Sequence, residues 1–373
     1  MNWRYTLVSH LKNIPGWKTG RKLVVFSVDD YGNVRIASRK ASDELIKAGI
    51  KPASHFDRFD SLETHEDLEA LFEVLSSVKD KHGNPAVFTP YAIPCNISFE
   101  AMADMGNSMY INELLPVTFN KLAAEDPGAY EGTWELWKEG IEKGLMRPQF
   151  HGREHFNLYV FNDLLGKQNK NLLTALQHHS HVSLPEHKNY RQGWTSAFDF
   201  ETIDEIEPMA DIIRDGLSKF EQVYGYMPNS FTPPARNFPV SIEQKLSSFG
   251  LDYFDMPVYQ NRMLENGKYR REIHKLGDRK PLPIIIRNIP FEPTTKNLTS
   301  DWVNFTLKQI RTAFFWGKPA HISSHRVNFS GHIDPNNRKE GLNTLKILLQ
   351  KIARTWPDVE FISVEQLGRI VYE

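Results

Sequence analysis

The chain has 373 residues, of which 40% are hydrophobic and 24% charged, a globular composition that excludes the disordered, collagen-like and coiled-coil classes. Its 45 Lys and Arg stand against 46 Asp and Glu, for a formal net charge of −1, so no bulk field draws it to nucleic acid or to an acidic lipid surface. A lone cysteine, Cys95, excludes an intrachain disulfide and a cysteine zinc cluster.

Residues 1–17 contain no sustained apolar run of signal-peptide type. No run of about 18 apolar residues occurs, so no membrane span and a cytoplasmic location are expected. The first strong strand is residues 22–28, a continuous apolar run suited to burial on both faces of a parallel sheet. It ends in Asp29-Asp30, followed by Tyr31-Gly32. Ile36, Ala37, Leu45 and Ile46 then mark one face of a helix that stops at Gly49. A second helix over 68–79 carries Leu68, Leu71, Phe72, Leu75 and Val78 at helical spacing. Gly83-Asn84-Pro85 breaks the chain before a strand at 86–93.

The same rhythm continues. Strands are expected at 149–150, 230–232, 253–256, 284–286, 320–323 and 359–362, with helices at 207–224, 301–316 and 337–355 between them. Alternation of this kind predicts an α/β fold with seven or eight mostly parallel strands in a closed or nearly closed (β/α) barrel. Such a barrel needs about 250 residues. Roughly a third of the chain is then expected in loop insertions, the best candidate being a large one at about 96–144, where only a short helix at 134–143 is periodic. Residues 1–373 read as one elaborated domain.

Four segments carry candidate chemistry, each at the end of an expected strand. Asp29 and Asp30 leave a buried strand in different directions, which lets one bind a metal while the other stays free as a base. His151 and His155 sit at i, i+4, so a helical turn there would aim both imidazoles at one ion. One aspartate with two histidines leaves a coordination position open, as in catalytic rather than structural zinc sites. Residues 231–236 (FTPPAR) and 321–326 (HISSHR) reach the same rim, where His325 suits a general acid. His178, His179 and His181 read as cations at a helix end, and Glu154 as exposed or paired with Arg153. Trp134 and Trp137 either stack on a ligand ring or pack the short helix.

In this order SVDDYG (27–32), HGREH (151–155), FTPPAR (231–236) and ISSH (322–325) resemble the motifs of the NodB-homology polysaccharide deacetylases, carbohydrate esterase family 4. The closing VEFISVEQLGRI is similar to that family's last strand and helix, and DDYG is nearly as similar to the YdjC-type chitooligosaccharide deacetylases. The resemblance implies a distorted (β/α) barrel holding zinc or another divalent metal at the C-terminal rim of its strands. It implies Asp29 as base, Asp30, His151 and His155 as ligands, and His325 as acid. The implied partner is an acetylated saccharide that loses an N-acetyl or O-acetyl group, with Tyr31, Pro234 and Trp134 assigned as its contacts. Thr232 stands where the family places the arginine that pairs with its base. Arg236 is the expected substitute, reaching back to Asp29, with Arg153 as the reserve. Two rival readings remain: a carbohydrate-binding relative that has lost turnover, and an amidase acting on a non-carbohydrate substrate.

Overall fold

The computed structural model describes residues 3–264, 268–279, 281–295 and 298–373. Its centre is strand β1 (Lys22–Tyr31), buried along all but its first residue. The further barrel strands in chain order are β2 (Phe88–Ala92), β3 (Gln149–Phe150), β4 (Ser230–Phe231), β5 (Tyr253–Pro257), β6 (Ile284–Arg287), β7 (Ile289–Pro290), β8 (Ala320–His325) and β9 (Val359–Phe361). Their spatial order is β6-β5-β4-β3-β2-β1-β8-β7, every pairing is parallel, and β9 adds to the first half of β1.

Only Asn288 separates β6 from β7. β6 pairs with β5 and β7 with β8, so one nearly continuous strand passes from one end of the sheet to the other. The result is a nearly closed barrel of 8 parallel strands, in which β6 and β7 count as one. The apolar runs read from the sequence are the reason. Residues such as Val25, Phe26, Phe88 and Ile285 are inaccessible to solvent, and each buried side chain of this size contributes about 1.5–3 kcal/mol.

The expected helices form with small shifts at their ends. Arg39–Lys47 is capped by Ser38, and His65–Ser76 opens with a capping box from Thr64 and Asp67. Ile206–Tyr224, Trp302–Phe315 and Pro335–Thr355 follow as read. The insertion differs from the loop expected at 96–144. It holds an antiparallel pair (Cys95–Ile97 with Asn112–Leu114) and helices Phe99–Asp104, Leu115–Glu125, Pro127–Tyr130 and Thr133–Glu142. Pro116, Pro127, Gly128 and Gly132 cut these elements short, so no single window shows a period. Gly140 brings the last of them so close to Phe72 that a Cβ there would lie 2.2 Å from its ring.

A second antiparallel pair, Tyr259–Met263 with Tyr269–Ile273, has no counterpart in the reading above, because its residues are largely polar. Among the described residues no helix is long and apolar enough to cross a membrane.

Candidate active site

In a regular strand Asp29 and Asp30 would point to opposite faces. β1 is irregular at this point. Val28 pairs with Pro90 and Tyr31 with Ala92, which leaves one extra residue on β1, a bulge. Asp30 absorbs it with a φ of 76°, a left-handed conformation that costs a non-glycine residue about 1–2 kcal/mol. Both carboxylates thereby line the same pocket, of about 430 Å3, at the C-terminal rim. Gly32 completes the exit: a Cβ there would lie 2.6 Å from the carbonyl oxygen of Ile93, so only glycine fits.

His151 follows β3 directly. Gly152, at φ 115°, turns the chain into a series of bends, so the expected helical turn at 151–155 does not form. The turned loop, rather than an i, i+4 face, brings the two imidazoles together. Asp30 Oδ1 lies 2.8 Å from His155 Nε2 and 3.4 Å from His151 Nε2, and the three atoms are within 4.8 Å of one another. All three side chains are buried.

This set fits a divalent cation. His151 Nδ1 lies 2.7 Å from the carbonyl oxygen of Thr232, an acceptor, so Nδ1 carries the proton and Nε2 presents a lone pair toward Asp30. Lone pairs and a carboxylate then converge on one buried point, an arrangement that a cation relieves. Burial alone would raise the Asp30 pKa; when the imidazoles are protonated and donate to Asp30 instead, the charge of His155 and the hydrogen bonds from both histidines hold it well below the ordinary carboxylate value. Burial lowers the His155 pKa, against the pull of Asp30.

Asp29 has a different partner. Arg287 Nη1 donates to Asp29 Oδ2 at 2.6 Å, while Arg287 Nε donates to Asp255 Oδ2 at 3.0 Å. The guanidinium also lies 4.8 Å from the centre of the Tyr91 ring. Burial pushes the Asp29 pKa up, but Arg287, with His151 and His325, outweighs it and keeps the carboxylate ionised. Asp29 Oδ1 is buried without a hydrogen-bond partner.

His325 lies across from Asp29, with Nε2 4.0 Å from Asp29 Oδ2 and Nδ1 2.7 Å from Glu292 Oε1. Burial works to lower its pKa, yet the charge and hydrogen bond of Glu292, with Asp30 and Asp29, raise it to about 10. Asn328 Nδ2 donates to the other oxygen of Glu292 at 2.6 Å, which fixes the carboxylate that holds the imidazole.

The arginine assignment needs correction. Arg236 stands at the pocket wall but makes no ion pair with Asp29 among the described residues, and Arg153 is occupied by Glu154 and Asp215. Arg287 takes the role, delivered by β6 two barrel positions from Thr232. Thr232 instead donates its hydroxyl to the carbonyl oxygen of Asp255. Glu154 is buried rather than exposed, and paired with Arg153.

The expected substrate contacts lie elsewhere too. Tyr31 is buried and meets Trp137 edge-on, because the bulge at Asp30 turns it into the core. Trp134 stacks on Phe119 and packs beside Tyr224, so it belongs to helix packing. Pro234 is buried behind its neighbours Pro233 and Ala235, which do line the pocket. Arg287 and Glu292 were not singled out by sequence, although a signal existed: Arg287 ends the apolar run IIIR as Asp29 ends its own.

No family model and no curated protein matches the sequence. Solved structures do show a similar chain trace. A putative polysaccharide deacetylase from Mycobacterium smegmatis is 11% identical, with a TM-score of 0.46 over 96% of this chain and 92% of that one. A probable polysaccharide deacetylase from Pseudomonas aeruginosa PAO1 is 10% identical, with a TM-score of 0.46 over 95% and 93%. The PuuE allantoinase is 9% identical, with a TM-score of 0.46 over 96% and 93%. The likeness is one of fold.

Proposed function

We propose that this protein is a metal-dependent hydrolase that removes an acetyl group from the nitrogen, or the oxygen, of an acetylated saccharide. One observation carries the reading: an arginine-held, ionised Asp29 and a protonated His325 face one pocket beside a buried Asp30, His151 and His155 set. Those three residues would hold zinc or another divalent ion, which when bound polarises a carbonyl and acidifies water.

The chain's own groups supply the rest. Arg287 fixes Asp29 through Oδ2, leaving Oδ1 to take a proton from the attacking water. Glu292 fixes His325 through Nδ1, so Nε2 carries a proton toward the departing amine, which is too basic to leave unprotonated. The pocket volume of about 430 Å3 falls in the range of small-ligand sites, about 300–1,000 Å3. We read residues 1–373 as one domain whose insertion braces the barrel.

A second reading, hydrolysis of a non-carbohydrate amide, is favoured by the walls themselves, where among the described residues Phe56 is the one Phe, Tyr or Trp ring. Acetate and free-amine release across acetylated sugars, short acetylated oligosaccharides and non-sugar amides separates the two. Release confined to non-sugar amides would reject the saccharide.

A further inference from the structure

The cations around the pocket are unequal. Arg287 is shared between Asp29 and Asp255. Arg35 is held by Asp57, with Nε at 3.1 Å and Nη2 at 3.0 Å from Oδ1. His325 is held by Glu292. Arg236 alone among these four has a side chain with no carboxylate and no hydrogen-bond acceptor among the described residues, and it is exposed at the pocket wall.

Its position is also enforced. Ala235 and Arg236 follow one another with φ of 53° and 64°, each at a cost of about 1–2 kcal/mol for a residue that is not glycine. Arg236 N donates to the carbonyl oxygen of Pro233 at 3.0 Å. The Arg236 carbonyl accepts from Gln260 Nε2 at 2.6 Å, and Gln260 Oε1 lies 2.9 Å from His274 Nε2. Gln260 and His274 are both buried. Two strained residues and a buried brace thus hold the backbone from which this guanidinium, free of any protein acceptor among the described residues, reaches the pocket wall, a type of strain that collects at ligand sites.

We infer that the pocket takes an acetylated amino sugar carrying an anionic group, a carboxylate or a phosphate, and that Arg236 selects it. The planar fork of a guanidinium matches two oxygens of either group. The Ser183 and Thr195 hydroxyls in the same walls offer further donors; that of Ser54 is already given to Asp57. This inference rests on the saccharide reading above and narrows it to acidic members of that class.

The test uses three matched compounds: N-acetylglucosamine, the corresponding N-acetylated uronic acid, and N-acetylglucosamine 6-phosphate. Acetate release gives kcat/KM for each, and calorimetry gives the affinity of each independently of turnover. Wild-type protein should prefer at least one anionic member over the neutral one by about tenfold or more, in both measurements. Whether the carboxylate or the phosphate is preferred identifies the group. Arg236→Gln should collapse the preference toward one, and Arg236→Lys should restore part of it. Equal values for all three compounds in the wild type, or a preference that survives Arg236→Gln, overturns the inference. A calorimetric preference lost in Arg236→Gln, without acetate release from any compound, upholds the anion site and sinks the deacetylase reading instead. Neither binding nor turnover of any member overturns both.

Discussion

Replacing Arg287 with methionine removes the cation shared by two buried carboxylates and keeps most of the side-chain volume. Asp255 is fully buried and Asp29 is 9% exposed, so water replaces the guanidinium only in part, from the pocket side. Two charge-assisted hydrogen bonds are lost, at 2.6 Å to Asp29 and 3.0 Å to Asp255, each worth about 1.5–3 kcal/mol. Breaking a buried ion pair from one side costs about 3–5 kcal/mol, and that is the destabilisation expected at neutral pH. The pH dependence gives the sharper check. In the wild type the Asp29 pKa is depressed, so its contribution to stability is present above about pH 4 and is lost as pH falls through the folded value. Without Arg287, burial dominates and the Asp29 pKa rises above its unfolded value. The stability gap between wild type and Arg287→Met should therefore be widest near pH 7 and close toward pH 3. The acid limb of the rate profile should move to higher pH. Urea unfolding at a series of pH values, with kcat profiles for the same proteins, measures both. A gap that is constant with pH, or an unmoved acid limb, would refute the assignment of Arg287 to Asp29.

His151→Ala and His155→Ala should each lower bound metal sharply while the far-ultraviolet circular dichroism stays that of the barrel, and unchanged stoichiometry in both removes the ligand assignment. Asp29→Asn cannot accept a proton at Oδ1, so turnover should fall by about 10²-fold or more with metal retained; wild-type rates would place the base elsewhere. His325, with a pKa raised to about 10, is active as its protonated form, so amide turnover should decline as pH rises through that value. His325→Ala should lose that limb and harm amides more than esters, and equal losses on both argue against an acid role. His321 is buried against Ser27, and burial lowers its pKa to about 4. An unfolded histidine near 6.5 takes up a proton first, so stability should drop as pH falls from about 6.5 to 4, less steeply in His321→Gln. A flat unfolding midpoint over that interval contradicts the buried neutral imidazole.

Much of the site was legible because a buried strand that ends abruptly in charged or metal-ligating residues is unusual on its own. Asp29-Asp30, His151 and His325 all carry that signature, and the fold brings them to one rim. What escaped depends on departures from regular geometry. The bulge at Asp30 sends Tyr31 inward, where strict alternation would have left it beside the site. Gly152 replaces the expected helical turn with a loop and still unites the imidazoles. The partner of Asp29 comes from 258 residues away, and no spacing rule connects such positions. Trp134 has the composition of a sugar platform, yet Phe119 and Tyr224, distant in sequence, enclose it. The insertion looked irregular because its helices are short and broken by Pro and Gly, although the last of them meets Phe72 closely at Gly140 and buries Trp137.

On the proposed function, metal held by Asp30, His151 and His155 and proton transfer by Asp29 together hydrolyse an acetyl group from a saccharide. Acetate release from acetylated saccharides, measured before chelation, after chelation, after zinc is returned, and in Asp29→Asn, tests it most directly. Release should be abolished by chelation, restored by zinc and lowered about 10²-fold in Asp29→Asn with its metal still bound. Release that survives complete metal removal, or that is the same in Asp29→Asn as in wild type, would contradict the proposed function.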